Sequence, residues 1–298
     1  MGGATLGRSI LSAMAALVAT MGPAWSAPPD SSQPTVEWLI WDALPFHMAE
    51  GSQFVGAEDE LVDWLIARLP GYDHMREFVS TESREEMLKT RDRVCAVGYF
   101  KTRERATYAQ FTDTPAFTTS PARLIVPAQS VARFDKFRDR TGRVDLVALV
   151  ADRSFSGGRQ ADRSYTPLID TLLRPVAATG SLTTWVDVRS GFRMLAAGRI
   201  DWLIDYPEAA ALALAEAPLS FRYQVLPISG ADELRPSYVA CSKMPGGIAL
   251  AADIDRLLAA AGPHPPWQAN YEDWLDPERQ TALRQILAHR AASVATPR

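Results

Sequence analysis

Cysteine and histidine are scarce in this chain, two and four residues out of 298. His47, His74, His264 and His289 are scattered, and the sequence holds no His-Glu-x-x-His, no Cys-x-x-Cys and no Gly-x-Ser-x-Gly elbow. Zinc chemistry and triad hydrolysis therefore find no support, and neither a metal nor a cofactor is expected. A basic excess is missing as well: Lys plus Arg number 31 against 35 for Asp plus Glu, a formal net charge of -4. Nucleic acid, which calls for a basic stripe, is not an expected partner. The apolar run from Ile10 to Met21 has 12 residues, whereas a helix that crosses a bilayer takes about 20.

That short run has informative neighbours. Arg8 is the only charge before it, and a small-residue stretch, Gly22-Pro23-Ala24-Trp25-Ser26-Ala27, follows it. This order is that of a cleavable signal peptide over residues 1–26. A cut after Ser26 places Ala24 and Ser26 at the small-residue positions, whereas a cut after Ala27 would put Trp25 in the pattern. Cysteine is absent from the junction, so no lipid anchor is indicated. Loss of Arg8 moves the net charge from -4 to -5, and the expected location is the periplasm. In an oxidising compartment Cys95 and Cys241 are either a disulfide or two buried thiols.

After a Pro/Ser linker at residues 27–34, apolar runs alternate with helical patterns. Val36 to Trp41 reads as a strand buried on both faces. Glu58 to Leu69 reads as a helix stopped by Pro70-Gly71. A strand near Met75 to Val79, a capping box at Ser83-Arg84-Glu85-Glu86 and a strand at Val94 to Val97 follow. The rhythm pauses between Phe111 and Pro127. It resumes with a strand at Val144 to Val150, a polar loop over Ala151 to Ser164, a helix at Pro167 to Leu173 and a strand at Thr184 to Val188. A helix at Ser190 to Ala197, a strand at Trp202 to Ile204 and a helix at Pro207 to Ala217 close this block. Val225 to Pro227 leads to a last strand at Tyr238 to Cys241 and two helices near Ile248 to Ala261 and Pro277 to Ala292. Two such α/β blocks predict two lobes, each a mostly parallel sheet flanked by helices, with a ligand at the carboxyl ends of the strands.

Gly98-Tyr99-Phe100-Lys101-Thr102-Arg103-Glu104-Arg105, directly after the strand at Val94 to Val97, resembles the Gly-hydrophobic-Thr-x-x-Arg stretch of the bacterial extracellular solute-binding proteins of family 3. Phe111-Thr112-Asp113-Thr114-Pro115 resembles the Phe-Ser/Thr-x-Pro segment that follows it there, with one residue inserted. Leu195-Ala196-Ala197-Gly198-Arg199-Ile200-Asp201-Trp202-Leu203-Ile204-Asp205 resembles the family's Leu-x-x-Gly-Arg strand that ends in Asp. Pro45-Phe46 with Gly56 and Asp59 is a further match. The resemblance runs in order over most of the chain after the signal. It implies a two-lobed periplasmic-binding-protein type II fold: residues 27–125 in lobe one, 126–228 in lobe two, and 229–298 returning to lobe one. It also implies a Cys95 to Cys241 bridge, a monomer, and capture of a small polar, carboxylate-bearing, amino-acid-like solute for an ABC-type permease. A signalling receptor as partner, or dehydratase-like chemistry involving His47, are the alternatives.

Thr102 and Arg105 are then expected to hold the ligand's anion, since a guanidinium grips a carboxylate with two parallel hydrogen bonds. The other reading of Arg105 is a solvated turn in which it pairs with Glu104 or Asp113. By resemblance Asp205 matches the residue that receives a ligand ammonium, but Asp followed by Pro207 also suits a helix N-cap. The Arg153 to Arg159 loop, with Ser154, is either a small anion cradle or a flexible surface loop. Trp41, Phe46 and Tyr99 stand at strand ends, where they serve as stacking surface or as core. Ala43 departs from amino-acid binders, which commonly carry an aromatic there.

Overall fold

The computed structural model describes residues 1–2 and 33–294, apart from 51–52, 162, 179–181, 216–220, 232–233, 263 and 276. Apart from Met1 and Gly2, the expected signal segment over residues 1–26 lies outside the described residues. Among the described residues no helix is long and apolar enough to cross a membrane.

Strand β1 (Thr35–Ile40) feeds two apolar clusters with alternating side chains, Val36, Trp38 and Ile40 into one and Leu39 into the other. That double burial is why it reads as a nearly continuous apolar run. A short hairpin, β2 (Ala49–Glu50) and β3 (Gln53–Phe54), leads to α1 (Ala57–Ile66), which buries Leu61, Val62 and Leu65. β4 (Asp73–Phe78), α2 (Thr81–Thr90) and β5 (Val94–Tyr99) follow, with β4 and β5 parallel to β1 on its two sides. Helix α2 starts before the expected capping box. Its N-cap is Ser80, whose Oγ accepts the Ser83 N–H at 3.1 Å, so Ser83 lies inside the first turn. α3 (Arg105–Tyr108), β6 (Ala109–Phe111) and β7 (Phe117–Thr119) end this segment.

The chain then changes sheet. β8 (Arg123–Pro127) already belongs to the second sheet, so that sheet takes its first strand just ahead of the expected division at residue 126. A 3-10 segment (Ala128–Phe137) leads to α4 (Leu146–Ala151), β9 (Gly157–Gln160), α5 (Pro167–Ala178) and β10 (Thr183–Trp185). Then come α6 (Val188–Ala196), β11 (Trp202–Asp205), α7 (Pro207–Ala215) and β12 (Tyr223–Leu226). The chain returns as β13 (Arg235–Ser242), followed by α8 (Pro245–Ala261), α9 (Pro266–Glu272) and α10 (Pro277–Val294).

The first sheet has the order β4-β1-β5-β13-β6, with β7 also on β13, and the second has the order β10-β9-β11-β8-β12. Each contains a parallel block of three strands flanked by helices and completed by antiparallel strands. This is the two-lobed fold of periplasmic binding proteins. Cys95 on β5 and Cys241 on β13 are register partners and form a disulfide, with Cα atoms 4.0 Å apart.

Strands β7 and β8 lie in the stretch read as a pause, helix α9 has no counterpart in the sequence reading, and two further segments differ from it in type. Val144 to Val150, expected as a strand, is mostly helix α4: the Asp145 carboxylate accepts the N–H groups of Val147 and Ala148 and caps it. A short, wholly apolar run carries no period that separates a buried strand from a buried helix turn. The loop expected over Ala151 to Ser164 contains β9. Gly157 and Gly158 there are sheet residues over which tryptophans lie, a Cβ at Gly157 falling 1.8 Å from Trp202 and one at Gly158 falling 2.3 Å from Trp185. These glycines serve close packing of the strand.

Candidate functional site

A cavity of about 60 Å³ lies where the carboxyl ends of β1, β5, β9 and β11 converge. That volume holds a few water molecules, and its position is where open α/β sheets bind ligands. Three arginines reach it, Arg84 and Arg105 from the first lobe and Arg163 from the second.

Arg84 lies on α2 at the spacing of Met87 and Leu88, the apolar face of that helix, and it is only 4% exposed. Its guanidinium carbon stands 4.1 Å from the ring centre of Trp41 and 4.9 Å from that of Tyr99. Nε and Nη1 are buried without a hydrogen-bond partner. Burial therefore lowers its pKa, the charge of Arg105 adds to that effect, and Tyr99 opposes it. A buried cation with two idle nitrogens is costly unless an anion reaches it. Arg105 stands 4.2 Å over the same Tyr99 ring, with Nη1 3.3 Å from the Phe100 carbonyl. The Thr102 hydroxyl accepts the Arg105 backbone N–H at 3.1 Å, holding the turn from which the side chain springs.

A chain of two acids and a histidine runs back from the cavity, which only Glu58 among them lines. Asp59, in the first turn of α1, accepts the backbone N–H groups of Gly56 and Met48 on one carboxylate oxygen. Its other oxygen lies 2.6 Å from His47 Nδ1. His47 Nε2 in turn lies 3.2 Å from Glu58 Oε2, outside hydrogen-bonding alignment. Glu58 lines the cavity, and its carboxyl rests against Gly98, which has φ of 73° and no room for a Cβ: that atom would fall 1.9 Å from Glu58 Oε1. Burial pushes the Glu58 carboxyl up to about 7, with His47 pulling the other way and Asp59 adding to the rise.

From the second lobe, Arg163 is held at 3.1 Å by Asp205 and donates to Gln160 Oε1 at 2.9 Å. Burial acts against its charge, but Asp205, Tyr165, Tyr206 and Glu58 outweigh that and raise its pKa. Burial raises Asp205, against the pull of Arg163. Ser237 Oγ, on β13, lines the cavity and has no hydrogen-bond partner. The lobes meet directly where Asp42 Oδ2 accepts the Val188 N–H at the start of α6, at 3.1 Å, and where Arg235 donates to the Tyr165 carbonyl at 2.5 Å.

Of the residues singled out from sequence, Trp41, Phe46, Tyr99 and Arg105 line the cavity. Thr102 lies at the adjoining mouth. Asp205 stands one layer behind, neither capping α7 nor facing the cavity, with Oδ1 taking the Tyr206 N–H and Arg163. Ser154 is exposed and bonds Asp152. It precedes β9, whereas the cavity lies beyond that strand's other end. Arg84, Arg163, Glu58 and Gln160 were not singled out. For Arg84 a signal existed, because a cation three and four residues before Met87 and Leu88 sits on a buried helix face.

No protein-family model matches the sequence, and no curated protein matches it. Solved structures do match its fold. Holo arginine-binding protein from T. maritima has a TM-score of 0.57 at 18% identity, over 82% of this chain and 96% of that one. An ancestral amino acid-binding protein described as a precursor of cyclohexadienyl dehydratase has 0.59 at 18%, over 81% and 95%. A histidine kinase sensor domain with similarity to periplasmic binding proteins has 0.62 at 18%, over 83% and 97%. The chain thus has the periplasmic-binding-protein fold.

Proposed function

We propose that the chain is an exported solute-binding protein that closes its two lobes on a small carboxylate-bearing solute and presents it to an ABC-type permease in the inner membrane. The observation that carries this reading is Arg84, a buried guanidinium with two unpartnered nitrogens lining an interlobe cavity. A carboxylate there gains charge-assisted hydrogen bonds from a donor whose desolvation the fold has already accepted. The pattern of a signal peptide over residues 1–26 supports export, and the likeness in fold to an arginine-binding protein and to an ancestral amino acid-binding protein supports solute capture. The test is thermal denaturation of the purified protein with a metabolite panel: a ligand at a hundred times its Kd stabilises by about 2.7 kcal/mol. Arg84→Ala and Arg105→Ala should each abolish the response, and a full response in both would overturn the assignment.

The Asp59–His47–Glu58 chain favours a second reading, acid–base chemistry on the bound solute. The likeness to a precursor of a dehydratase is compatible with it. Proton NMR of the stabilising ligand held with the protein decides between them, since an unchanged spectrum excludes turnover.

A further inference from the structure

Resting on the solute-capture reading, we propose that the solute is a small dianion with no ammonium group, one acidic end held by Arg84 and Arg105 and the other by Arg163.

Charge around the cavity is lopsided. Three guanidiniums line it, and Arg84 among them has idle donors. Each nearby aspartate is held by a donor. Asp205 does not line the cavity and is held by Arg163 through Oδ1, its Oδ2 being buried without a partner. Asp42 lines the cavity and accepts the N–H at the start of α6 through Oδ2. Asp59 is taken by His47 and two backbone N–H groups. Two carboxylates, Asp42 and Glu58, therefore line the cavity against three guanidiniums, and the Glu58 carboxyl, pushed up to about 7, offers an O–H to an anion as readily as a charge to a cation.

The mouth repeats the bias. Beside Arg105 and Arg163 it is lined by Lys101, Arg103, Arg159, Arg174 and Arg235, against Glu85, Glu104 and Asp170. This basic funnel lies on a chain whose net charge is -4, so the positive field is local to the path a ligand takes. Such a cleft concentrates anions and speeds their capture, the more so at low salt.

Isothermal titration of the purified protein at pH 7 compares oxalate, malonate, succinate, glutarate and adipate with aspartate, glutamate, alanine and arginine, at low and at 0.3 M salt. One or more dicarboxylates should bind at least tenfold more tightly than every amino acid, weaken with salt, and lose at least tenfold in Arg163→Gln. Tighter binding of any amino acid overturns the dianion while leaving solute capture standing. Silence of every compound here and of the wider metabolite panel in the melting assay overturns capture itself. The comparison in the unaltered protein does not depend on the variant folding.

Discussion

Asp42, just past β1 of the first lobe, accepts the backbone N–H of Val188, the first residue of α6 in the second lobe, at 3.1 Å. Helix α6 has its own N-cap, Asp187, which accepts the Arg189 N–H at 3.1 Å, and Asp42 adds an acceptor for the first N–H of the helix from across the crevice. Asp42→Ala should cost about 1 kcal/mol of stability, the usual net value of one hydrogen bond, and should enlarge the radius of gyration measured by small-angle scattering. Asp42→Asn keeps an acceptor and should leave both unchanged.

Arg84 sets binding against stability. Replacing a buried, unpaired cation by an apolar residue of similar length removes a desolvation cost. Arg84→Met should therefore raise the melting temperature of the ligand-free protein, by the equivalent of about 1–3 kcal/mol, while ligand affinity falls at least tenfold. A variant that lost stability and kept its affinity would show that Arg84 is structural.

Glu58 should leave a signature in pH. Its carboxyl titrates near 7 in the folded chain against an ordinary value of 4.5, so the folded state binds the proton more tightly than the unfolded state. Its contribution is present in full below about 4.5 and lost as the pH rises through 7. The upper bound is about 3 kcal/mol. Unfolding measured at pH 5 and pH 8, in the unaltered protein and in Glu58→Gln, isolates it: the difference between the two proteins should change by that order, with the variant gaining relative stability at pH 8.

The disulfide closes a long loop, Cys95 and Cys241 being 146 positions apart in sequence. The loop-entropy account gives about 5 kcal/mol for a loop of that size. Cys95→Ala/Cys241→Ala, or reduction of the native protein, should lower the denaturant midpoint strongly while the fold persists in circular dichroism at low denaturant. Thiol titration of the denatured, unreduced chain should find no free thiol.

The alternation of strands and helices was legible because β1, β5 and β11 are buried on both faces and so read as unbroken apolar runs. What failed were places where a run had no period, as at Val144 to Val150, or where glycine marks close packing and not a turn, as at Gly157 and Gly158. Within the site, Thr102 and Arg105 were visible as a motif next to a strand end. Arg163 was not: it sits in a loop whose sequence says nothing of Asp205 some forty residues on, and only the pairing of β9 with β11 brings the two together. Arg84 had a helical register that betrays burial, yet Ser-Arg-Glu-Glu looks like any solvated helix start.

The Ser120 hydroxyl, at the first crossing between the sheets, donates to Glu208 Oε1 at 3.0 Å, its backbone N–H donates to Tyr271 Oη at 3.1 Å, and Tyr271 Oη donates to Glu208 at 2.5 Å. All three residues are buried. One lobe's helix α7, the other's α9 and the segment linking β7 to β8 are thus knotted at a single point. A lobe turning about that point sweeps an arc proportional to its distance from it. Phe46 and Tyr206, whose rings are 5.4 Å apart, are tied into this neighbourhood by the stacking of Phe46 on Tyr271. They would hardly separate, while the arginine-lined mouth would swing through the full travel. The molecule would gape like a clamshell and keep its inner wall intact.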